Sequence, residues 1–447
     1  MQMKPYPKYK DSGIEWIGEI PDGWEVHKLK FNSDVLISNV DKKSKENESE
    51  VSLCNYVDVF KNEFITKEIE FMKATATPGQ ISKLKLKKHD VIITKDSETP
   101  EEIAEPALMA EDIDNLVCGY HLAIIKPGNN YHGSYIMRLF KTKNISEQFC
   151  VEANGVTRFG IGTYPIKNII MYFPPKPEQK AIVFFLDKKT SEIDDLISKN
   201  KKLIELEKEK RVALINHAVT KGLDTNVKLK DSGVEWIGEI PEDWGIRKFS
   251  HISKRISVGF VGSIEKHYTD ETGIPLLKTG NIGNGEVLLN KLSYVTKEFH
   301  YANVKSQLIP GDIIIARHGE SGKSAVIAKM LKHANCLNIV LLKVGSKMYG
   351  KYYSYLMNAH IFLEHLQAIQ GGSVQGVINT EDISQMKVIF LPKPEQEAIV
   401  EYLDKHTANI DKTIKKINKN IELLEEYKQS LIHHVVTGKV DVREIAA

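Results

Sequence analysis

Cysteine is scarce in this sequence, four in 447 residues. Cys54, Cys118, Cys150 and Cys336 stand far apart with no Cys-x-x-Cys pair, which excludes a disulfide framework and a thiolate zinc site and leaves them as small buried apolar residues. Long apolar runs are missing too. The start, MQMKPYPKYKDSG, has no stretch suited to a secretory signal, and no segment reaches the ~20 apolar residues that cross a bilayer, so the cytoplasm is the expected compartment. Catalytic signatures are equally absent. GESGKS, Gly319–Ser324, is similar to the end of a phosphate-binding loop, but the glycine required ahead of Gly322 is replaced by Arg317. RFGIGT, Arg158–Thr163, is followed at once by Pro165 and reads as a turn rather than a cofactor loop. There is no Asn-Pro-Pro-aromatic motif to hold a base for methylation, and the Glu-x-Lys triplets at Glu178 and Glu426 fall on helical stretches, where a nuclease would need a strand.

What the chain has instead is repetition. KDSGIEWIGEIPDGW, Lys10–Trp24, returns as KDSGVEWIGEIPEDW, Lys230–Trp244; PKPEQKAIV from Pro175 returns as PKPEQEAIV from Pro392; LINHAVT from Leu214 returns as LIHHVVT from Leu431. Two tandem units are implied, each ordered as phrase, variable stretch and PKPEQ segment. The length also exceeds what one core supports. The net charge of +2 hides an imbalance: 19 basic against 21 acidic side chains between residues 25 and 170, but 17 against 10 between 245 and 390. The second stretch is the one suited to a polyanion.

Each PKPEQ segment has helical grammar: prolines, a glutamate in the first turn, apolar residues three and four apart, and a glycine at the end. In the second copy Ile410, Ile414, Ile417, Ile421, Leu424, Tyr427 and Leu431 form a heptad seam. In the first, Ile193, Ile197, Asn200, Ile204, Glu207, Lys210 and Leu214 form a seam interrupted by three polar residues, which suits one specified coiled-coil pair within the chain. The variable stretches carry strand-like runs such as DVIIT and DIIIA and read as mixed α and β domains. The expected division is an N-terminal phrase 1–24, a domain 25–173, a helix 174–222, the repeated phrase 223–244, a domain 245–390, a helix 391–438 and a tail 439–447.

Polar and basic residues decorate the strand ends. Arg317, His318, Ser321 and Lys323 follow the run DIIIA, and Lys278, Thr279 and Asn281 lie in LLKTGNIGNG. Alignment back from PKPEQ pairs NGVTRFGI with GGSVQGVI, so Arg158 matches Gln375, beside Ser373. Lys95 stands where Arg317 does, followed by Ser97 and an acidic run. These side-chain types supply the donors that match base edges and phosphates. The near-identical phrases suit docking of identical partners, with Trp16 and Trp236 as anchors.

On the duplicated KDSG(I/V)EWIGEIP and PKPEQ(K/E)AIV phrases and PGDIIIAR, the sequence resembles, over nearly its whole length, the specificity subunits of type I restriction-modification enzymes. The resemblance implies an α+β fold: two mixed target-recognition domains separated by two long helices that pair as an antiparallel coiled coil, related by a pseudo-two-fold tandem repeat. It implies no catalysis and no cofactor on this chain. Double-stranded DNA is the implied ligand, one half of a bipartite asymmetric site per domain, with the spacer set by the helices. The implied partners are two modification (methyltransferase) subunits and restriction (translocase/nuclease) subunits, which would carry S-adenosylmethionine, ATP and Mg in a host-defence complex. The alternative is a scaffold that binds two proteins and no DNA.

Overall fold

The computed structural model describes residues 4–129, 131–319, 321–370 and 377–444. The chain divides into two units, Met1–Asn200 with Lys419–Ala447, and Lys201–Asn418. The division crosses both long helices, α1 (Lys176–Lys221) and α2 (Lys393–Val436), so that each unit holds part of each.

The helices begin and end where the repeated phrases place them. Pro175 and Pro392 offer the carbonyls that accept the first helical bonds, from Glu178 and Gln179 and from Glu395 and Gln396. Pro177 and Pro394 sit in first turns, where no amide proton is needed. Gly222 and Gly438 follow the last turns at φ +78° and +73°, left-handed conformations that favour glycine. A Cβ on Gly438 would meet Pro21 at 2.6 Å, and one on Gly222 would meet the Trp244 ring at 3.3 Å.

Within the first unit, the N-terminal part of α1 pairs with the C-terminal part of α2. Ile193, Ile197, Ile421 and Leu431 are buried, and Lys428 Nζ reaches both carboxylate oxygens of Asp194 at 2.8 Å. Within the second unit, the C-terminal part of α1 pairs with the N-terminal part of α2. There Ile204, Ile410 and Ile417 are buried, and Arg211 bonds Asp411. This is the antiparallel arrangement, with one correction to the expected seam. Tyr427 is 48% exposed and Lys210 is exposed; Lys428 and Arg211 take the seam positions instead. A four-then-three spacing from Leu424 lands on Lys428, and a basic side chain can occupy such a position by lying along the groove and carrying its charge to an aspartate.

Each unit holds a five-stranded mixed sheet of one topology. In the first unit the strands are β1 (Ser33–Ile37), β2 (Phe64–Ile65), β3 (Val91–Thr94), β4 (Pro106–Met109) and β5 (Leu122–Pro127), in spatial order β1-β5-β3-β4-β2. In the second they are β6 (Arg255–Val258), β7 (Gly285–Glu286), β8 (Ile313–Ile315), β9 (Ser324–Val326) and β10 (Val340–Lys343), in order β6-β10-β8-β9-β7. In both, only the last pair is parallel. The central strands β3 and β8 are wholly buried, which is why they read as unbroken apolar runs.

The repeated phrases serve the interior. KDSG opens a small hairpin in each unit, Tyr9–Asp11 with Glu19–Pro21 and Leu229–Asp231 with Glu239–Pro241. Asp11 accepts from the Gly13 amide and Ser12 from Ile14; Asp231 and Ser232 repeat both bonds. Trp24 and Trp244 are buried, and Trp24 donates to Glu178 Oε1 at 2.8 Å, an oxygen that also accepts from Tyr6 at 2.6 Å. The glutamine of PKPEQ ties each helix start to its domain. Gln179 accepts from His132 and donates to Pro174, and Gln396 accepts from Tyr349 and donates to Leu391.

Candidate nucleic-acid interface

In the second unit, the chain leaves β8 at Ala316 and returns into β9 through a tight turn, with Ala316 N–H bonded to Lys323 O and Gly322 N–H to Ala316 O. The described residues Ser321–Ser324 of GESGKS therefore lead out of a turn into a strand, where a phosphate-binding loop would open a helix. Gly322 sits at φ +90°, and a Cβ there would come within 2.7 Å of Leu366. Arg317 lies at the start of this turn. Its Nε donates to Ile378 O at 3.1 Å and its Nη1 to Asn338 Oδ1 at 3.0 Å, which spends two of its five donors on holding the fork. His318 is exposed, Lys323 is half-buried, and the Ser321 hydroxyl donates to Arg317 O.

A second loop comes to the same edge. The strand Ile274–Leu277 runs parallel to Ala334–Cys336, and Leu337 N–H bonds Leu277 O, so Lys278 and Thr279 emerge beside the Leu337–Asn338 turn that holds Arg317. Lys278 Nζ lies 4.9 Å from the Tyr268 ring and 2.9 Å from Ser293 Oγ. Asn281, expected among the presenting residues, is buried; its oxygen accepts from the Lys278 amide and its nitrogen donates to Leu288 O, so it shapes the loop from inside. Ser373 and Gln375 lie outside the described residues.

The first unit builds the corresponding edge from different chemistry. The strand Leu116–Cys118 runs parallel to Ser49–Cys54, and Gly119 N–H bonds Cys54 O, so Asn55 and Tyr56 emerge beside Tyr120 and His121. Past β3, Lys95 Nζ bonds Asp96 Oδ2 at 2.7 Å, the same oxygen lies 2.7 Å from His121 Nδ1, and the Lys95 ammonium sits 4.9 Å from the Tyr120 ring. Burial would raise the Asp96 carboxyl, but the bonds from Lys95 and His121 outweigh it and hold the group below the usual carboxylate range. The hairpin Asn154–Gly155 with Phe159–Gly160 pairs onto Asp96–Ser97 and raises Val156, Thr157 and Arg158 into solvent. The turn expected at RFGIGT is thus one arm of this hairpin. Ser97, also expected to present itself, is buried and donates to Thr99 O.

Sequence reasoning missed Tyr56, Tyr120, His121 and Asn338. The signal available was a matched buried cysteine, Cys118 or Cys336, ahead of divergent residues, GYH in one unit and LN in the other. Cys54 is buried as well and Cys150 half-buried; all four are free, and burial pushes the Cys336 thiol up to about 12. Among the described residues no cluster of three metal-ligating side chains occurs, and no helix is long and apolar enough to cross a membrane.

The expected anchors differ between units. Trp16 is 44% exposed and lines a groove of about 450 Å³ with Val151 and Tyr164, whereas Trp236 is half-buried, stacked on His365 at 4.4 Å and edge-on to Phe362.

The duplicated fold agrees with what comparison shows. The family described as type I restriction modification DNA specificity domain matches residues 21–208 and 241–423. The chain belongs to that family. It is a specificity subunit, a DNA-recognition protein without catalysis of its own. A Methanocaldococcus jannaschii protein named for the MjaX type I restriction enzyme specificity subunit is 25% identical over 438 residues, covering 96% of each chain. The EcoBI specificity subunit of Escherichia coli is 23% identical over 299 residues, 64% of this chain and 62% of the other. In fold, the chain is similar to the HsdS subunit from Thermoanaerobacter tengcongensis, with TM-score 0.59 and 15% identity over 94% of this chain and 98% of the other. It is also similar to a solved chain of a type I R-M system, with TM-score 0.64 and 14% identity over 93% of this chain and 98% of the other.

Proposed function

We propose that this specificity subunit reads a bipartite asymmetric site in double-stranded DNA, with one half-site at each edge: Lys95, Arg158, Tyr56, Tyr120 and His121 in the first unit, and Arg317, His318, Lys323, Lys278 and Thr279 in the second. The observation that carries this is the matched placement of two loops at one edge of each unit, beside His121 or Asn338, with different side chains presented on the same scaffold. A duplicated fold with divergent edges is what two unlike half-sites require. Asn338 and Asp96 act as positioning residues, since each holds the cation that would face DNA.

The two long helices set the spacer, and the repeated faces receive two identical modification subunits, with Trp16 and Trp236 as docking anchors and restriction subunits joining the same complex. S-adenosylmethionine, ATP and Mg belong to those partners, and the complex works in the cytoplasm. The test is the methylome of a host given this chain with its modification partner. A methylated motif with two specified halves and an unspecified gap is expected, and matched seven-residue deletions in both helices should shorten the gap by about three base pairs, from ~10 Å of helix at ~1.5 Å per residue. A contiguous motif, or a gap indifferent to the deletions, overturns the reading.

A further inference from the structure

The second unit carries a basic concavity of about 860 Å³, lined by Arg247, His251, Lys254 and Lys347 around Ile252 and Phe390. Among the described residues no acidic side chain lines it. All four basic residues are exposed. Arg247 donates to its neighbour's carbonyl, Ile246 O, at 3.0 Å, and the other three make no ion pair with any described residue. Like charges gathered without counter-charges repel one another, and a polyanion relieves that repulsion.

The same place in the first unit is lined by different chemistry. The strand Glu25–Lys28 pairs with Ile170–Phe173 as Gly245–Lys248 pairs with Lys387–Phe390, so His27 corresponds to Arg247 and Phe173 to Phe390. His27 stacks on Phe173 at 4.8 Å, and the Tyr131 ring lies 4.8 Å from Phe173, so aromatic rings stand here in place of the arginine. Asp34 pairs with Lys126, two residues before Gly128, as Arg255 pairs with Lys343, two residues before Gly345, so an acidic side chain stands at this sheet end where the second unit has a basic one. The fold therefore does not require an open basic site here.

Its location separates it from the reading edge. Arg255, at the start of β6, pairs with Lys343, at the end of β10, and the concavity flanks that end; Ile315, just before Arg317, pairs with Val340 at the opposite end of β10. The four residues of β10 span ~13 Å at ~3.3 Å each, the rise of about four base pairs.

We propose that this concavity binds the phosphate backbone of duplex DNA flanking the half-site read by the second unit. The proposal rests on the DNA-reading function above. A site built in one unit only fits a partner met once per chain, such as a flanking duplex, and not one that docks on two equivalent faces. Lysines on flexible stems also suit phosphates, which need charge more than fixed geometry.

The test is equilibrium binding against salt, with the full chain assembled on its modification subunit. The triple variant Arg247→Ala, Lys254→Ala, Lys347→Ala is compared with the parent on duplexes having ten or more base pairs beyond both half-sites, and on duplexes trimmed flush at either end in turn. The variant is expected to bind the long duplex tenfold or more weakly, with a salt slope lower by roughly three units. It should match the parent on one of the two trimmed duplexes and methylate the same motif. Unchanged affinity and slope on the long duplex overturn the proposal. So does loss of subunit assembly with DNA affinity intact, which would assign the surface to an acidic protein face. If the parent itself shows no sequence preference, it is the DNA-reading function that fails.

Discussion

The two units share a fold and differ at their edges. In the first, the cation past the central strand is a lysine bonded to Asp96, which His121 also bonds, with an acidic run behind it; in the second it is an arginine braced by a carbonyl and an asparagine amide oxygen. The first arrangement spends charge inside a neutralised cluster, and in the second the guanidinium bonds neutral oxygens of Ile378 and Asn338. A scaffold whose strands, hairpins and helix openings are repeated can thus carry two unlike surfaces, because the surfaces hang from loops that touch little of the core.

The comparison can be broken hardest at its shared foundation. Trp24→Ala removes a buried ring and one of two donors to the buried Glu178, and should cost about 3–5 kcal/mol. Trp244→Ala should cost a similar amount, because that ring fills the same place against Gly222. Hydrogen exchange resolved by peptide should show each loss confined to the unit that carries the change. A cost under 1 kcal/mol for either would mean that the phrase does not anchor the domain.

The unlike edges come next. Arg317→Ala should lose about 1–3 kcal/mol of discrimination at one or two positions of one half-site while the other half stays specified, read from the methylated motif. Lys95→Ala should relax the opposite half-site and weaken binding further, because Asp96 then faces DNA with one counter-charge gone. Relaxation of the same half-site by both would end the assignment of one edge per unit.

Acid sharpens the contrast. Asp96 has its carboxyl held below the usual range, so its contribution is present above the ordinary carboxylate pKa and is lost as pH falls through the depressed value. His318 stands at the matched position in the second unit. The Lys95–Asp96–His121 cluster should loosen on acidification while the Arg317–Asn338 bond persists, followed by side-chain NMR at both sites. Simultaneous loosening would refute the difference.

Smaller effects test the seam and the exposed ring. Asp194→Ala and Asp411→Ala should each cost about 0.2–1 kcal/mol in thermal melting, since both ion pairs are partly exposed. Trp16→Ala should change stability by no more than about 0.5 kcal/mol and yet weaken assembly with the modification subunit. Intact assembly would leave the groove beside Trp16 without a docking role.

Much of this architecture was legible from residues alone. The duplication, the helix limits and most of the seam follow from periodicity and from proline and glycine, which act on neighbouring residues and need no tertiary context. Tyr427 misled because three-then-four and four-then-three spacings are both helical, and only the partner helix chooses between them. The repeated phrases were harder to interpret. Their identity suggested a common partner, and the structure shows most of it committed to Asx turns, buried tryptophans and glutamine clamps.

The edges were least legible. Cys54 meets Cys118 across 64 positions, and Leu277 meets Cys336 across 59. Nothing local in Tyr56, His121 or Asn338 marks them as neighbours of the residues they assist. By itself the sequence determined that there are two copies of one unit, joined by helices and differing in charge, because those properties are sums and periods along the chain. Which side chains share an edge, which asparagine is buried, and which end of the second sheet holds an open basic concavity were decided by strand pairing alone, since pairing sets proximity between residues that share no local pattern.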